Sequence, residues 1–300
     1  MEKLVLFFIA LLLIDTAFAQ QMPELAVAKA TYNFIHVRDT NNRSKPYEEE
    51  MLLMLGKNSS RFTSNVRFKQ ELEFITGIES QIKANGGSLN GLTIKSNRKR
   101  ATLNEDYLTF FNENKTALVT RLINYYLVED SIPKINWEIK KDTANFSGIK
   151  CQKAIAWFGG RNWIAWFASA LPFQAGPWKL NGLPGLIIEA YDDKKDIQFL
   201  FTGFEATNIS EKDRPQQQLT KGLDIFALAN EIKVPNKALK TTKEELKKLV
   251  KASNENPAGF AKAQLSGTPF AQLAELASKT NVAAPNTNSA PIINNPIEIK

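Results

Sequence analysis

The chain has 300 residues, 43% of them hydrophobic, and a formal net charge of +7, enough for a full core as one large domain or two small ones. Its single histidine and single cysteine allow no intramolecular disulfide and are a poor basis for a zinc site, so no metal and no cofactor is expected. The basic charge is spread out, densest at residues 97–100 and at 237–251, where it alternates with glutamates as on a solvated helix face; with no localised basic surface and an exported address, nucleic acid is not an expected partner.

Residues 1–19 read as a secretory signal peptide. Lys3 supplies the basic start, residues 4–14 the apolar segment, and Ala17-Phe18-Ala19 the cleavage pattern before Gln20. An eleven-residue apolar run is too short to span a bilayer, which takes about 20 residues. No cysteine follows the cleavage site to carry a lipid anchor. The mature chain is therefore expected to be periplasmic or secreted, without a transmembrane segment.

Residues 25–38 alternate well enough for a first strand, carrying His36. No nucleophile-elbow motif accompanies that histidine, so it reads as a structural or solvent-facing residue rather than a catalytic one. A polar connection over 39–46 leads to a second strand at 47–55, turned by Gly56-Lys57-Asn58-Ser59. From 64 to 84 the spacing becomes helical, with Phe68, Leu72, Ile75 and Ile82 on one face. After a glycine-rich loop at 85–90, strand-like runs follow at 92–96, 107–111, 117–124, 125–129 and 137–140, then a turn at Asn145-Phe146-Ser147-Gly148. Short strands at this interval with one helix among them predict a meandering antiparallel sheet. No Walker loop or dinucleotide fingerprint occurs. Glu48-Glu49-Glu50 and Asp192-Asp193 are the obvious acidic runs, but neighbours on a strand point to opposite faces.

Residues 151–204 are the most informative block. Gly159-Gly160 separates two apolar runs as a two-residue hairpin loop does, which sets a register. Phe158 then pairs with Arg161, Ala156 with Trp163 and Gln152 with Phe167 on one face. Trp157 pairs with Asn162, Ile155 with Ile164 and Lys153 with Trp166 on the other. Both faces are largely apolar, so one meets the core and the other is either covered by a helix or lines a ligand cleft around Trp157 and Trp166. Cys151 opens the first strand, where it reads as buried and inert, the alternative being a bond to another chain. Leu183-Pro184-Gly185-Leu186 has the residues of a type II turn, launching a strand that Asp192-Asp193 ends.

An ordered set of motifs now accumulates. The run from Tyr126-Leu127-Val128-Glu129-Asp130 to Asn136-Trp137 precedes Gly148-Ile149-Lys150-Cys151-Gln152-Lys153-Ala154. Gly160-Arg161 and Ala165-Trp166-Phe167 follow, and Gly176-Pro177-Trp178-Lys179-Leu180-Asn181 leads into Gly182-Leu183-Pro184-Gly185-Leu186-Ile187. Over roughly residues 25–207 the chain resembles the GLPGLI family of exported proteins from Bacteroidota. The resemblance implies an extracytoplasmic, β-rich, bowl-like sheet with no established activity, in a family often found beside outer-membrane transport components. Residues 168–175 depart from the more polar, acidic segment that relatives tend to carry, so partner specificity does not carry over. Asp130-Ser131-Ile132 and Asp142-Thr143-Ala144 also resemble the short O-glycosylation pattern of that phylum.

Beyond Thr207 the character changes. Residues 219–232 could form a short helix, Thr241 or Thr242 begins a capping box with Glu244 or Glu245, and Leu246, Leu249 and Val250 form a stripe. Thr268-Pro269 opens a further helix, and residues 280–300 read as a flexible tail. The expected organisation is a signal peptide at 1–19, a β-rich domain at 20–207, a helical extension at 208–279 and the tail. The expected fold class is α+β, mainly antiparallel: a curved, bowl-like or half-barrel sheet with one helix after the first strands and added C-terminal helices. The leading functional expectation is a non-enzymatic envelope protein holding an apolar ligand or protein partner in a cleft of the sheet, with Trp157, Trp163, Trp166, Phe173 and Trp178 as contact candidates. An assembly factor for an outer-membrane receptor or secretion complex, and a carboxylate-based hydrolase, are the alternatives.

Overall fold

In the computed structural model, which describes residues 23–87, 103–207, 230–266 and 293–299, a short strand β1 (Glu24–Leu25) precedes β2 (Ala28–His36), where burial alternates strictly residue by residue. The signal peptide, the strand expected at 92–96 and the helix opened by Thr268 lie outside the described residues. Strands β3 (Tyr47–Leu55) and β4 (Ser59–Ser64) continue an antiparallel meander. Helix α1 (Asn65–Ala84) then starts where the Ser64 hydroxyl accepts the Arg67 N–H at 3.1 Å, a side-chain N-cap. Strands β5 (Glu105–Phe110), β6 (Lys115–Arg121) and β7 (Tyr125–Ser131) complete the first half.

The second half is the meander β8 (Glu138–Phe146), β9 (Ile149–Phe158), β10 (Arg161–Ala168), β11 (Leu186–Asp192) and β12 (Ile197–Ala206), and β12 pairs back onto β2. Strand β13 (Glu231–Ile232) pairs with β1. Strand β14 (Leu239–Lys240) lies parallel to β7, and helices α2 (Lys243–Glu255) and α3 (Pro257–Leu265) follow. Among the described residues the sheet has 12 strands in the order β14-β7-β6-β5-β4-β3-β2-β12-β11-β10-β9-β8.

That order forces curvature. Strands β7 and β8 are consecutive in the chain yet stand near opposite edges, ten positions apart, so in a flat sheet roughly 48 Å would separate them. The peptide units from Ser131 to Glu138 reach at most about 25 Å. The sheet must therefore curl until its two wings face each other, and it does so as an open, curved sheet that does not close into a barrel. The expected α+β class is what is observed.

Residues from both wings meet on the inner face in one cluster: Tyr32, Phe34, Leu53 and Phe62 from the first, Cys151, Trp163 and Phe199 from the second. The bowl is not empty. Ala175, Trp178, Leu180 and Leu183, all on the connection between β10 and β11, are buried in the same cluster. On the outer face, Phe68 of α1 packs with Leu52, Met54 and Leu108. Arg61 and Arg67 both pair there with buried Asp106, the first at 3.2 Å. Leu72, expected on the buried side of α1, is exposed, and the side chain of Ile75 lies outside the described residues.

The C-terminal part is less separate than its composition implies. Glu231–Ile232, expected to end a helix, is a strand, with Ile232 buried beside Ala26. Thr242 caps α2 by accepting the Glu245 N–H at 3.1 Å, and Leu246 packs on Tyr126 and Val128. Residues 293–299, expected to belong to a flexible tail, are docked on the rim of the bowl. Asn294 and Asn295 both donate their N–H groups to the Arg38 carbonyl, and Ile299 donates to that of Gly159.

Candidate functional site

The β9–β10 hairpin has the register that its glycines predict, Phe158 opposite Arg161 through to Gln152 opposite Phe167. Both loop glycines have positive φ, 58° and 76°, as a primed two-residue turn requires. Strand alternation then divides the candidate tryptophans. Trp163 points inward and is fully buried, stacked on Phe199 at 6.2 Å and tilted on Trp178 at 5.9 Å. Trp157 and Trp166 point outward. The five contact candidates therefore do not line one cleft: three residues separate Trp163 from Trp166, which places them on opposite faces. Phe173 sits half-buried on the β10–β11 connection against Phe204.

Among the described residues no helix packs on the outer face of the hairpin, and large apolar side chains stand open there. Trp157 is 67% exposed and Ile139 46% exposed. Trp166 lies between Phe146, at 5.8 Å, and the Lys153 ammonium, at 5.9 Å from its ring centre, and donates to the Tyr191 hydroxyl at 3.4 Å.

The family-like hexapeptide explains how the bowl is filled. The Gly185 N–H bonds to the Leu183 carbonyl at 2.8 Å, which closes a three-residue turn over Pro184 instead of the expected type II turn. Leu186 N–H is thereby free to reach the Leu171 carbonyl (2.9 Å), and Ile187 N–H that of Ala175 (3.0 Å). Gly185, with φ 153°, lies so close to the chain at Ala168 that any Cβ would run into the Ala168 carbonyl. Tyr32 donates its hydroxyl to the Ile187 carbonyl at 2.8 Å, and burial holds its pKa far above the phenolic range. Gly182 and Pro184 are exposed, whereas Leu183, Leu186 and Ile187 are core. The motif is a clasp that fixes the connecting loop inside the bowl.

Among the described residues, an opening lies between that loop and β5–β7. It is a notch of about 140 Å³ with Tyr107, Leu118, Val128, Phe158 and Trp178 among its walls. Trp178 stands at φ 56°, a left-handed conformation costly for a bulky residue, on the Pro177–Leu180 turn closed by the Leu180 N–H at 3.1 Å. Tyr107 donates to Glu105 at 2.8 Å, and burial raises its pKa. Two ion pairs frame the mouth, Lys243 with Asp130 at 2.5 Å and Lys179 with Glu298. The Lys243 hydrogen bond holds the exposed Asp130 carboxyl below its ordinary range and raises the lysine in turn. Sequence reasoning found Trp178 but missed Tyr107, Leu118 and Val128, which alternation marks only as inward-facing strand residues.

The remaining candidates have structural surroundings. Cys151 is buried, and burial pushes its thiol up to about 11. Asp192 and Asp193 diverge: Asp192 is buried against Arg161, at 2.5 Å, while Asp193 accepts from Asn162 at the surface. Buried Glu49 accepts from the Tyr47 and Ser64 hydroxyls, and half-exposed Glu50 from Asn65 and Lys69. Among the described residues no group of three or more His, Cys, Asp or Glu could hold a metal ion, and no helix is long and apolar enough to cross a membrane.

No family model matches the chain, and no curated protein does. Among solved structures it is similar to PNGF-II in two crystal forms, a C2 and a P21 form, at 12% identity with TM-scores of 0.48 and 0.49. The matches cover 76% of this chain but only 33% and 34% of the other, so the chain spans about a third of the length of the structures it resembles.

Proposed function

We propose that this chain is an exported member of the GLPGLI family that acts in the cell envelope as a non-enzymatic binding protein. It grips a partner protein by one apolar or aromatic side chain seated in the notch. The size of the notch carries this reading. At about 140 Å³ it is close to the engineered cavity of about 150 Å³ that admits benzene, and well short of the roughly 300 Å³ at which drug-sized pockets begin. A ring or a branched side chain fits; a whole lipid does not. The framing lysines and carboxylates suit the polar backbone on either side of such an anchor.

Small aromatic probes test this directly. Ligand-observed NMR with toluene and p-cresol should show saturable binding to the full chain, lost in Leu118→Trp, which fills the notch. Equal binding to both proteins would sink the proposal. The exposed surface around Trp157 favours a second reading, an accessory factor docking through the outer face of β8–β11. Photo-crosslinking in envelopes of a same-phylum host separates the two. Loss of a crosslinked partner with Leu118→Trp supports the notch, and loss with Trp157→Ser supports the outer face.

A further inference from the structure

The rim of the bowl around Arg161 holds residues 293–299 in a manner unlike ordinary core packing. Arg161 is buried, and its Nη1 donates to Asp192 at 2.5 Å. The other Asp192 oxygen accepts the N–H groups of Asp196, at 2.6 Å, and Ile197, at 3.0 Å. The β11–β12 turn thus aims the guanidinium, independently of the C-terminal segment. Its remaining donors point at that segment: Nε at the Ile297 carbonyl (2.8 Å), Nη2 at the Pro296 carbonyl (2.5 Å) and at Asn295 Oδ1 (2.6 Å). With the segment in place each of these donors is paired, as a buried cation requires.

The contacts read a peptide. Buried His36 donates from Nε2 to the Asn295 carbonyl at 2.7 Å. Asn295 Nδ2 donates to the Val37 carbonyl at 2.8 Å, so both ends of one side-chain amide are recognised, which neither aspartate nor alanine satisfies. Proline next in line brings no N–H that would need a partner. Ile297 rests against the main core cluster. Gly160 lets the chain pass, since a Cβ there would meet the Ile299 carbonyl oxygen at 2.6 Å. In sequence, residues 267–292 separate this segment from the residues described around α3.

We infer that the Arg161 rim is a peptide-binding site that recognises Asn-Pro-apolar sequences and is filled in this chain by its own residues 293–299. Being part of the same chain, the occupant competes intramolecularly with any added peptide, so the site is masked rather than absent. This assignment does not depend on the notch.

The test uses the full chain and a fluorescent peptide of residues 293–300. A double variant, Asn295→Ala with Ile297→Ala, weakens the internal occupant. The peptide should bind that variant saturably and at least about tenfold more tightly than the wild type, where the tethered segment competes. A peptide with the Asn295→Ala change should not bind. No binding to a variant with wild-type tryptophan fluorescence, or equal binding of the altered peptide, overturns the inference. Should the double variant fail to fold, hydrogen exchange on the wild type decides. Excess peptide should speed exchange at residues 293–299, and unchanged exchange at saturation would show the segment to be an ordinary part of the fold.

Discussion

Asp106 and Asp192 are buried to 3% and 1% exposure, and each is paired with arginine, yet the two centres do different work. Asp106 ties β4, β5 and α1 together, and its arginines lie 39 and 45 residues away. Both belong to elements that meet as the first wing forms. Asp192 holds an arginine from its own hairpin region, but that arginine reaches carbonyls 135 and 136 residues further along. The first centre is closed on itself. The second is half-closed, with a cation aimed outward at a segment that must arrive from elsewhere.

The largest expected effects test what the centres share. Asp106→Ala and Asp192→Ala each leave a buried arginine without its counter-charge, a change that typically costs about 3–5 kcal/mol. Urea unfolding of the two variants should show comparable losses. If Asp192→Ala were nearly neutral, Arg161 would have to be satisfied by residues 295–297 alone, and the view of Asp192 as the residue that aims it would fail.

Asn295→Ala has no counterpart at the first centre and sharpens the contrast. It removes both amide contacts, for a local loss of about 1–3 kcal/mol. Proteolysis should accelerate at the C-terminus while α1 and the hairpin keep their protection. Global unfolding at wild-type midpoint with a freed C-terminus is the expected pattern; a matching drop in global stability would make the segment part of the core.

The same contrast explains what could be read from the sequence. The hairpin register, the antiparallel meander, the first helix and a threonine cap at 241 or 242 were legible because period-two alternation, Gly159-Gly160 and capping residues act over a few positions, whereas β4 went unread. The faces of Trp163 and Trp166 follow from the same alternation. What filled the bowl did not, because the loop at 169–185 has no period, and its path is set by bonds between distant positions, such as those to Leu171, Ala175 and Tyr32. The docking of residues 293–299 was equally hidden, since an Asn-Pro segment looks like any polar tail until its partner is known. One signal was present: Arg161 opens an apolar strand, and a cation there demands buried acceptors.

The smallest effect expected is a pH dependence at the second centre, through His36. Burial lowers the pKa of His36, outweighing the Asn295 carbonyl and Asp192, which raise it, while Arg38 and Arg161 lower it further. A histidine depressed in the folded state is neutral there while the unfolded chain takes up a proton near pH 6.5, so the unfolded state binds more protons as the pH falls. Stability should therefore be level above about pH 6.5 and decline below it, down to the depressed value. Neutral His36 still donates through Nε2, so the contact to Asn295 persists, and the loss comes from the proton the fold refuses. Thermal unfolding from pH 8 to 5 should show this decline in the wild type and a shallower one in His36→Gln, whose amide can still donate to Asn295. Identical slopes would show that His36 does not set the acid sensitivity of the fold.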